Sequence, residues 1–182
     1  MSQQLNSSRS VWSPCLGLIG SDPEVVFEGF GFTESNFREE ITFQGQLMRR
    51  HRNGGGWVPA IQSETDESMP YVAPTVYVGP TAMVFGSARL FDQVRLTGFA
   101  RVFDSAVVSD NVWISSTAQV CGNATVSGSA YIYGDAWVSG FAKAYGRSQL
   151  ASGAKACGHV CIAGDAHVSR FIDYGVYIDG FH

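Results

Sequence analysis

Gly122–Val138 reads GNATVSGSAYIYGDAWV, and this stretch decides the fold. In it a large aliphatic residue recurs at every sixth position, and an alanine stands two positions before each one. The apolar series continues on both sides through 16 positions: Val78, Val84, Leu90, Leu96, Val102, Val108, Ile114, Val120, Val126, Ile132, Val138, Ala144, Leu150, Ala156, Ile162 and Val168. Because 45% of the chain is hydrophobic, chance gives such a run with a probability of about three in a million. The six-residue period therefore reflects the fold.

A second series stands two residues before the first, and only Ser148 in it is neither Ala nor Val. Its members are Val76, Ala82, Ala88, Val94, Ala100, Ala106, Val112, Ala118, Ala124, Ala130, Ala136, Ala142, Ser148, Ala154, Val160 and Ala166. Alternate side chains of a strand point to opposite faces, so this spacing predicts one short strand per repeat. Two residues after each apolar position, from Gly86 to Gly164, 14 positions hold nine Gly, three Asp and two Ser. These residues favour tight turns, so each repeat is predicted to end at a corner.

Strands joined by corners, with no room for hairpins or crossover helices, can pair all their backbone groups only by coiling. The sequence therefore predicts a parallel β-helix, an all-β fold. Alternation of small and larger residues suits a narrow triangular prism, in which three repeats make a coil of 18 residues and 16 repeats make a little over five coils. At about 4.8 Å per coil, such a rod is about 25 Å tall.

The runs Gly122–Val126 and Gly134–Val138 resemble the left-handed parallel β-helix family of hexapeptide repeats, whose best-known members are acyltransferases. More narrowly, the chain is similar to uncharacterised bacterial and phage proteins described as transferases with hexapeptide repeats. Gly55-Gly56-Trp57-Val58 looks like the element that precedes the coils in those proteins. The resemblance covers roughly residues 41–168. It implies a left-handed coil, since ordinary parallel crossovers are right-handed.

The repeat divides the chain into three parts. Residues 1–70 are predicted to form a small N-terminal β cap and linker, 71–170 the β-helix, and 171–182 a C-terminal capping tail. Tyr174 occupies the next core position after the period fails. Within the cap, the pattern predicts a loop over Gln62–Met69 and strands at Glu24–Phe27, Glu40–Phe43 and Gln46–Met48.

Composition excludes some classes of partner. A net charge of -4 and a pI near 5.5 give no general attraction to nucleic acid or to an anionic membrane. We expect no secretion signal, because the first residues lack a basic start and Pro14, Gly17 and Gly20 interrupt their only apolar patch. We expect no membrane-spanning helix, because no apolar run reaches about 18 residues. Four cysteines are too few for a disulfide framework, which suits a reducing compartment. The expected location is the cytoplasm.

Residues 18 apart should stack in columns on the outside of the rod. One column is Tyr77, Arg95, Trp113, Tyr131, Gln149 and His167. Stacked aromatics beside an arginine have the composition of interface centres, although outward β-ladders also favour aromatics for their own stability. Phe85 and Phe103, beside Met83, add apolar surface that a monomer rarely exposes. We therefore expect a homo-oligomer, a trimer if it follows related folds.

Two further clusters invite a chemical reading. Cys157, His159 and Cys161 offer soft metal ligands, but the cysteines should project from different walls with His159 at the corner between them, so we expect no metal. Arg49, Arg50 and Arg52 stand beside a glycine-rich turn and are candidates for binding an anion such as a phosphate. A solvated hairpin tip is the simpler interpretation.

Two functions fit the sequence. The resemblance implies an acyltransferase in which His159 or His167 is the general base and acetyl-CoA or another acyl-CoA is the donor. Against it, the period has no inserted loop, and glycine stands one position later than in the usual acyltransferase repeat. The preferred hypothesis is a non-catalytic, rigid interaction or structural protein without a cofactor, which binds itself and a protein target. The resemblance to phage proteins makes a virion component or an inhibitor of a host system a subtype of that hypothesis.

Overall fold

The structure is a computed structural model, and it describes residues 39–178. That part of the chain contains 20 β-strands and no helix, and therefore no helix long and apolar enough to cross a membrane. The strand predicted at Glu24–Phe27 lies outside the described residues. In chain order the strands are β1 Glu40–Phe43, β2 Gln46–Arg50, β3 Trp57–Pro59, β4 Tyr71–Val72, β5 Tyr77–Val78, β6 Met83–Val84, β7 Arg89–Leu90, β8 Arg95–Leu96, β9 Arg101–Val102, β10 Val107–Val108, β11 Trp113–Ile114, β12 Gln119–Val120, β13 Thr125–Val126, β14 Tyr131–Ile132, β15 Trp137–Val138, β16 Lys143–Ala144, β17 Gln149–Leu150, β18 Lys155–Ala163, β19 His167–Val168 and β20 Phe171–Ile178.

Parallel pairing of every third strand builds three walls. Wall 1 contains β3, β6, β9, β12, β15 and the start of β18; wall 2 contains β4, β7, β10, β13, β16 and the end of β18; wall 3 contains β5, β8, β11, β14, β17 and β19. From β4 to β19 the paired residues are 18 apart, as in Trp113 and Tyr131. The predicted parallel β-helix with three repeats per coil is confirmed. Wall 3 stacks six strands, so the coil makes about six turns, slightly more than the repeat count predicts.

The core is the interior of this prism. Every residue of both predicted apolar series is buried, with an exposed fraction of 2% or less. Val58 and Val72 extend the core at one end, and Ile172 extends it at the other. Ser148 is also fully buried, and its hydroxyl has no hydrogen-bond partner in the structure. The core thus follows directly from the six-residue period.

The corners depend on backbone that ordinary side chains disfavour. Of the 14 predicted corner positions, 13 have a positive φ, including Asp92, Asp104, Asp110 and Ser116. The exception is Ser152, where the positive φ moves to Gly153. The aspartates add a second contribution, because the carboxylate of each accepts the backbone N–H of the residue 18 positions later, at 2.7 to 3.1 Å. These bonds tie each corner to the corner of the next coil.

The N-terminal cap lies against wall 1. β1 and β2 form an antiparallel hairpin, β2 pairs with β3, and β3 joins wall 1 by parallel pairing with β6. The walls therefore begin inside the region predicted as cap. Gly56 permits this junction, because a Cβ there would lie 2.3 Å from the Gly79 carbonyl oxygen. Hydrogen bonds from Gly56 N to Val78 O and from Trp57 N to Ala82 O fasten the chain to the first coil.

The loop that links cap to rod is held by one buried arginine. The Arg89 guanidinium donates hydrogen bonds to the carbonyl oxygens of Ser63, Glu64, Asp66 and Met69, at 2.5 to 3.3 Å. Because one side chain binds four backbone carbonyl groups, it fixes the path of the acidic segment that was predicted as a loop. Arg89 therefore organises this loop from the outer face of wall 2.

The C-terminal strand continues the walls instead of leaving them. β20 pairs in parallel with β18 and turns the corner with it, from wall 1 to wall 2. The expectation that Tyr174 fills the next core position is wrong, since Tyr174 is 81% exposed and Ile172 is 4% exposed. The physical reason is that the corner before β20 is two residues shorter than the others. Ile172 therefore pairs with Ala156, 16 and not 18 residues earlier, and it takes the core position that the period assigned to Tyr174.

Candidate functional site

Wall 3 carries the predicted column of Tyr77, Arg95, Trp113, Tyr131, Gln149 and His167. The registers of β5, β8, β11, β14, β17 and β19 place these six side chains one above the other on the outside of the wall. Trp113 is 46% exposed and Tyr77 is 37% exposed. We call this column the aromatic face. The predicted stacking is confirmed, because it follows from the 18-residue coil, while the role of the column as a binding face stays a prediction.

The middle of the aromatic face is a packed aromatic cluster. The rings of Trp113 and Tyr131 lie 5.0 Å apart at 34°, and Tyr131 stacks on Tyr133 at 4.6 Å and 22°. The Trp113 indole N–H donates to the Thr97 hydroxyl at 3.0 Å. The Ser115 hydroxyl donates to the Tyr131 hydroxyl at 3.3 Å. These contacts fix the rings, so the cluster presents a rigid apolar surface.

A shallow pocket of about 440 Å³ opens at the upper end of the aromatic face. The turn that follows β2 forms one side of it, because Val78 N donates to Asn53 O at 2.9 Å and holds that turn against wall 3. The lining residues are Asn53, Thr75, Tyr77, Gln93, Arg95, Thr97 and Trp113. Amide, hydroxyl, guanidinium and aromatic groups thus converge on one opening.

The second predicted binding column requires correction. Phe85 is 8% exposed and Met83 is buried, because the N-terminal hairpin covers them. The Phe43 ring meets the Phe85 ring edge-on at 5.1 Å, and Phe85 stacks on Phe103 at 4.8 Å. The apolar surface that suggested oligomerisation is therefore largely buried by the same chain, with Phe103 only half-buried. Phe85 is not available as a binding residue.

The predicted anion-binding arginines do not act together. Arg49 and Arg52 are exposed, but Arg50 is buried and lies over the Trp57 ring with its Cζ 3.9 Å from the ring centre. Arg50 Nη1 donates to the carbonyl oxygens of Gly55 and Pro80. Burial lowers the pKa of Arg50, while its ion pair with Glu39 opposes that shift. Arg50 is a structural residue, so the candidate cluster loses its middle member.

The neighbouring His51 is also structural. Its ring is buried, and Nε2 lies 2.9 Å from the Val76 carbonyl oxygen, to which it donates. Burial lowers the pKa of His51, the hydrogen bond to Val76 raises it, and the charge of Arg49 lowers it further. A neutral imidazole therefore anchors the turn to the first coil.

The sulfur and imidazole groups near the C-terminal end lie apart, as the register predicts. The Cys157 thiol points toward the Ile172 carbonyl oxygen at 3.9 Å. On the next wall, the Cys161 thiol donates to the Tyr145 hydroxyl at 3.3 Å, and this bond raises the pKa of Tyr145. His159 stacks on Phe141 with the ring centres 5.0 Å apart. Among residues 39–178 no three His, Cys, Asp or Glu side chains form a group that could hold a metal ion.

The two histidines proposed as general bases are on different parts of the rod. His159 lies in β18, where it pairs with Tyr174 in the end strand, whereas His167 lies in β19 on wall 3 and pairs with Gln149. His159 is exposed and packs its ring on Phe141. Between β5 and β19, the described chain has corners only and no inserted loop that could close over an acceptor.

Some structural side chains were not anticipated. Arg101 on wall 1 is half-buried, and burial lowers its pKa. Cys121 is buried beneath Trp137, whose indole N–H donates to its sulfur at 3.1 Å. Arg147 forms a two-pronged ion pair with Asp165, one coil away, at 2.7 and 2.6 Å. The sequence signal for such pairs is the 18-residue spacing, which is available once the coil is known.

Comparison with known proteins supports the fold alone. No curated protein and no solved structure matches the chain. Residues 118–132 match the family described as "YdcK Beta solenoid repeat". The matched segment lies in the regular coils, where it includes β12, β13 and β14. Together with the three-walled coil, this match identifies the chain as a β-solenoid repeat protein.

Proposed function

We propose that the chain is a non-catalytic interaction protein, a rigid β-helical rod that associates with itself and binds a protein target. The observation that carries this proposal is the aromatic cluster in which the exposed Trp113 of the aromatic face packs on Tyr131, and Tyr131 stacks on Tyr133, both tyrosines being half-buried. Rigid aromatic side chains lose little conformational entropy on binding, and they are enriched at the centres of interfaces. A wall whose strands bond to the coils above and below cannot easily rearrange, so it suits recognition of a fixed partner surface.

A second surface supports self-association. β20 pairs with β18 on one side, and its other side pairs with no strand among residues 39–178. Tyr174, Val176 and Ile178 are exposed along it, and Asp173 is its only charged residue. Native edge strands are usually protected by lysine, proline or a covering element, and an apolar edge without them is a template for another strand.

The bend of β20 is compatible with a symmetric dimer in which β20 of a second copy covers this edge. β20 runs along wall 1 and then along wall 2. A two-fold axis through the corner between these walls, perpendicular to the rod, exchanges wall 1 with wall 2. The same edge of a second copy would then face β20 in the antiparallel direction, as a symmetric dimer requires. End-to-end joining gives a dimer, whereas side-by-side packing of aromatic faces also allows the trimer expected from related folds.

Acyl transfer has no specific observation in its favour. The two candidate histidines lie on different parts of the rod, and the pocket on the aromatic face has only Arg95 as a titratable lining group besides Tyr77. A general base must reach the proton that it removes, within hydrogen-bonding distance. The proposal of a non-catalytic protein would be overturned if the wild type hydrolysed or transferred the acetyl group of acetyl-CoA and if His159→Ala or His167→Ala abolished that activity.

The test of the interaction function is a charge placed in the aromatic cluster. Trp113→Asp should lower the oligomeric mass measured by light scattering and leave the far-ultraviolet β spectrum unchanged, because the indole lies outside the core. The matched control is Phe141→Asp, which charges a 54% exposed aromatic position away from this face. An unchanged mass for Trp113→Asp, or an equal loss for Phe141→Asp, would remove the aromatic face as an oligomer contact.

A further inference from the structure

The pocket at the upper end of the aromatic face has a lining suited to a small polar ligand. Its seven lining residues comprise two aromatic rings, two amides, two hydroxyls and one guanidinium. Tyr77 and Trp113 stand two coils apart in the same column, with Arg95 in the coil between them. At about 4.8 Å per coil, the two rings are attached about 9.6 Å apart. The pocket therefore has apolar faces at its two ends and a cation in the middle.

Several of these groups are fixed before any ligand arrives. The Trp113 ring is oriented by its hydrogen bond to Thr97 on one side and by packing on Tyr131 on the other. The Asn53 side-chain nitrogen donates to the Thr75 carbonyl oxygen at 3.2 Å, so the side-chain oxygen of Asn53 remains as an acceptor for a ligand. A binding site with fixed groups loses less entropy when its ligand binds.

Other groups in the pocket have unused hydrogen-bonding capacity. The Arg95 guanidinium and the Gln93 side-chain amide are exposed, and neither bonds to another side chain or carbonyl in the part of the chain that the structure describes. Arginine offers five N–H donors in a planar fork that matches a carboxylate, and the glutamine amide can both donate and accept. A ligand that contains an anionic group and hydroxyls would satisfy both residues.

We propose that this pocket binds an acidic saccharide, a pyranose ring that carries a carboxylate. The apolar C–H face of the ring packs on the Trp113 indole, the carboxylate pairs with Arg95, and ring hydroxyls bond to the amides of Gln93 and Asn53. This combination of an aromatic face with a few convergent polar groups is the general pattern of small-molecule sites. The whole pocket belongs to one chain, but Trp113 is also the centre of the proposed self-association contact, so a saccharide and a second copy of the chain would compete for this ring.

The charge around the pocket favours this ligand over a nucleic acid. One guanidinium lines the pocket, while Asp92 and Asp110 are exposed on the neighbouring corner and the whole chain has a net charge of -4. A chain of phosphates needs several cations along its path. A single carboxylate on a sugar ring needs only one, so the two chemistries can be separated by experiment.

The test is calorimetric titration of the full chain with trigalacturonate and with a neutral trisaccharide of the same size. The wild type should bind trigalacturonate more tightly than the neutral sugar. Arg95→Gln should weaken trigalacturonate binding by about tenfold and leave the neutral sugar nearly unaffected, because it removes one charge-assisted contact. Trp113→Ala should weaken both sugars, whereas Phe141→Ala, an exposed aromatic outside the pocket, should change neither.

Three results would overturn the assignment. These are no binding of trigalacturonate at millimolar concentration, binding that Arg95→Gln and Trp113→Ala leave unchanged, and tighter binding of a short single-stranded oligonucleotide than of trigalacturonate. Far-ultraviolet spectra of both variants establish that they remain folded. The oligomeric mass of the same samples is recorded separately, so a failure of the saccharide site is distinguishable from a failure of the proposed self-association.

Discussion

At the scale of single residues, buried polar side chains in this protein mainly serve the backbone. Arg89 bonds to four carbonyl oxygens of the linking loop, and Arg50 bonds to two carbonyl oxygens near the first coil. His51 bonds to the Val76 carbonyl oxygen. An unpaired buried carbonyl group costs free energy comparable to a lost hydrogen bond. These three side chains therefore stabilise the junction between the irregular cap and the regular coils.

Ser148 is the one polar residue among the inward positions, and removing its hydroxyl should stabilise the protein. Its hydroxyl is fully buried without a partner, so Ser148→Ala should raise the free energy of unfolding by about 1 kcal/mol. Ala130 occupies the same position one coil earlier, and Ala130→Ser should lower the free energy of unfolding by about the same amount. Urea denaturation followed by circular dichroism measures both. A loss of stability in Ser148→Ala would show that the hydroxyl has a partner.

Residue-level function was harder to predict than residue-level burial. The period assigned every side chain of the two apolar series correctly, because inward positions depend only on the repeat, but beyond the series it placed Tyr174 in the core instead of Ile172. It could not show that the cap folds over Phe85 or that Arg50 turns inward onto Trp57, since both depend on contacts between residues far apart in sequence. The aromatic face was predictable because its residues are 18 apart, whereas the pocket beside it also needs the turn at Asn53.

At the scale of elements, the corner is the unit that limits variation. Most corners combine a positive φ with close contact to the corner of the next coil. At Gly146, with φ of +75°, an added Cβ would lie 2.8 Å from the Gly164 carbonyl oxygen. At Gly153, with φ of +83°, the nearest atom to an added Cβ is 3.7 Å away. The two positions therefore separate backbone strain from steric contact.

Alanine substitutions at these two glycines should differ in cost. Gly153→Ala should destabilise the protein by about 1–2 kcal/mol, the cost of a left-handed alanine. Gly146→Ala should cost more, because its Cβ also meets main-chain atoms that cannot move without breaking the coil-to-coil bonds. Thermal unfolding of the two variants gives the comparison. Equal destabilisation of Gly146→Ala and Gly153→Ala would mean that neighbouring corners can move apart to accommodate a Cβ without further loss of stability.

At the scale of the whole molecule, the two ends of the rod differ. At the start, the hairpin covers wall 1, and the linking loop is held against wall 2 by Arg89 before the chain enters the first coil. At the other end, β20 offers an edge that pairs with no strand among residues 39–178. The sequence indicated where the period stops, but it placed Tyr174 in the core because the shortened corner before β20 has no signal in the repeat.

A charge on the exposed edge should separate end-to-end dimers. Val176 is 65% exposed on β20, and Val176→Lys should reduce the oligomeric mass by about half, because two copies of the lysine would face the same edge. Thr125→Lys places the same charge on wall 2 in the middle of the rod and should leave the mass unchanged. Light scattering at several protein concentrations measures both. Equal masses for wild type and Val176→Lys would assign self-association to another surface.

The constant 18-residue register makes the length of this protein adjustable in whole steps. Excision of residues 119–136, one complete turn, would bring Trp137 to the height of Gln119 and leave the cap, the final strand and the sealed interior as they are. The gap between the two ends would shrink by about 4.8 Å. Duplication or deletion of whole 18-residue turns, in evolution or by design, would thus change the distance between two partners bound at the opposite ends of the rod.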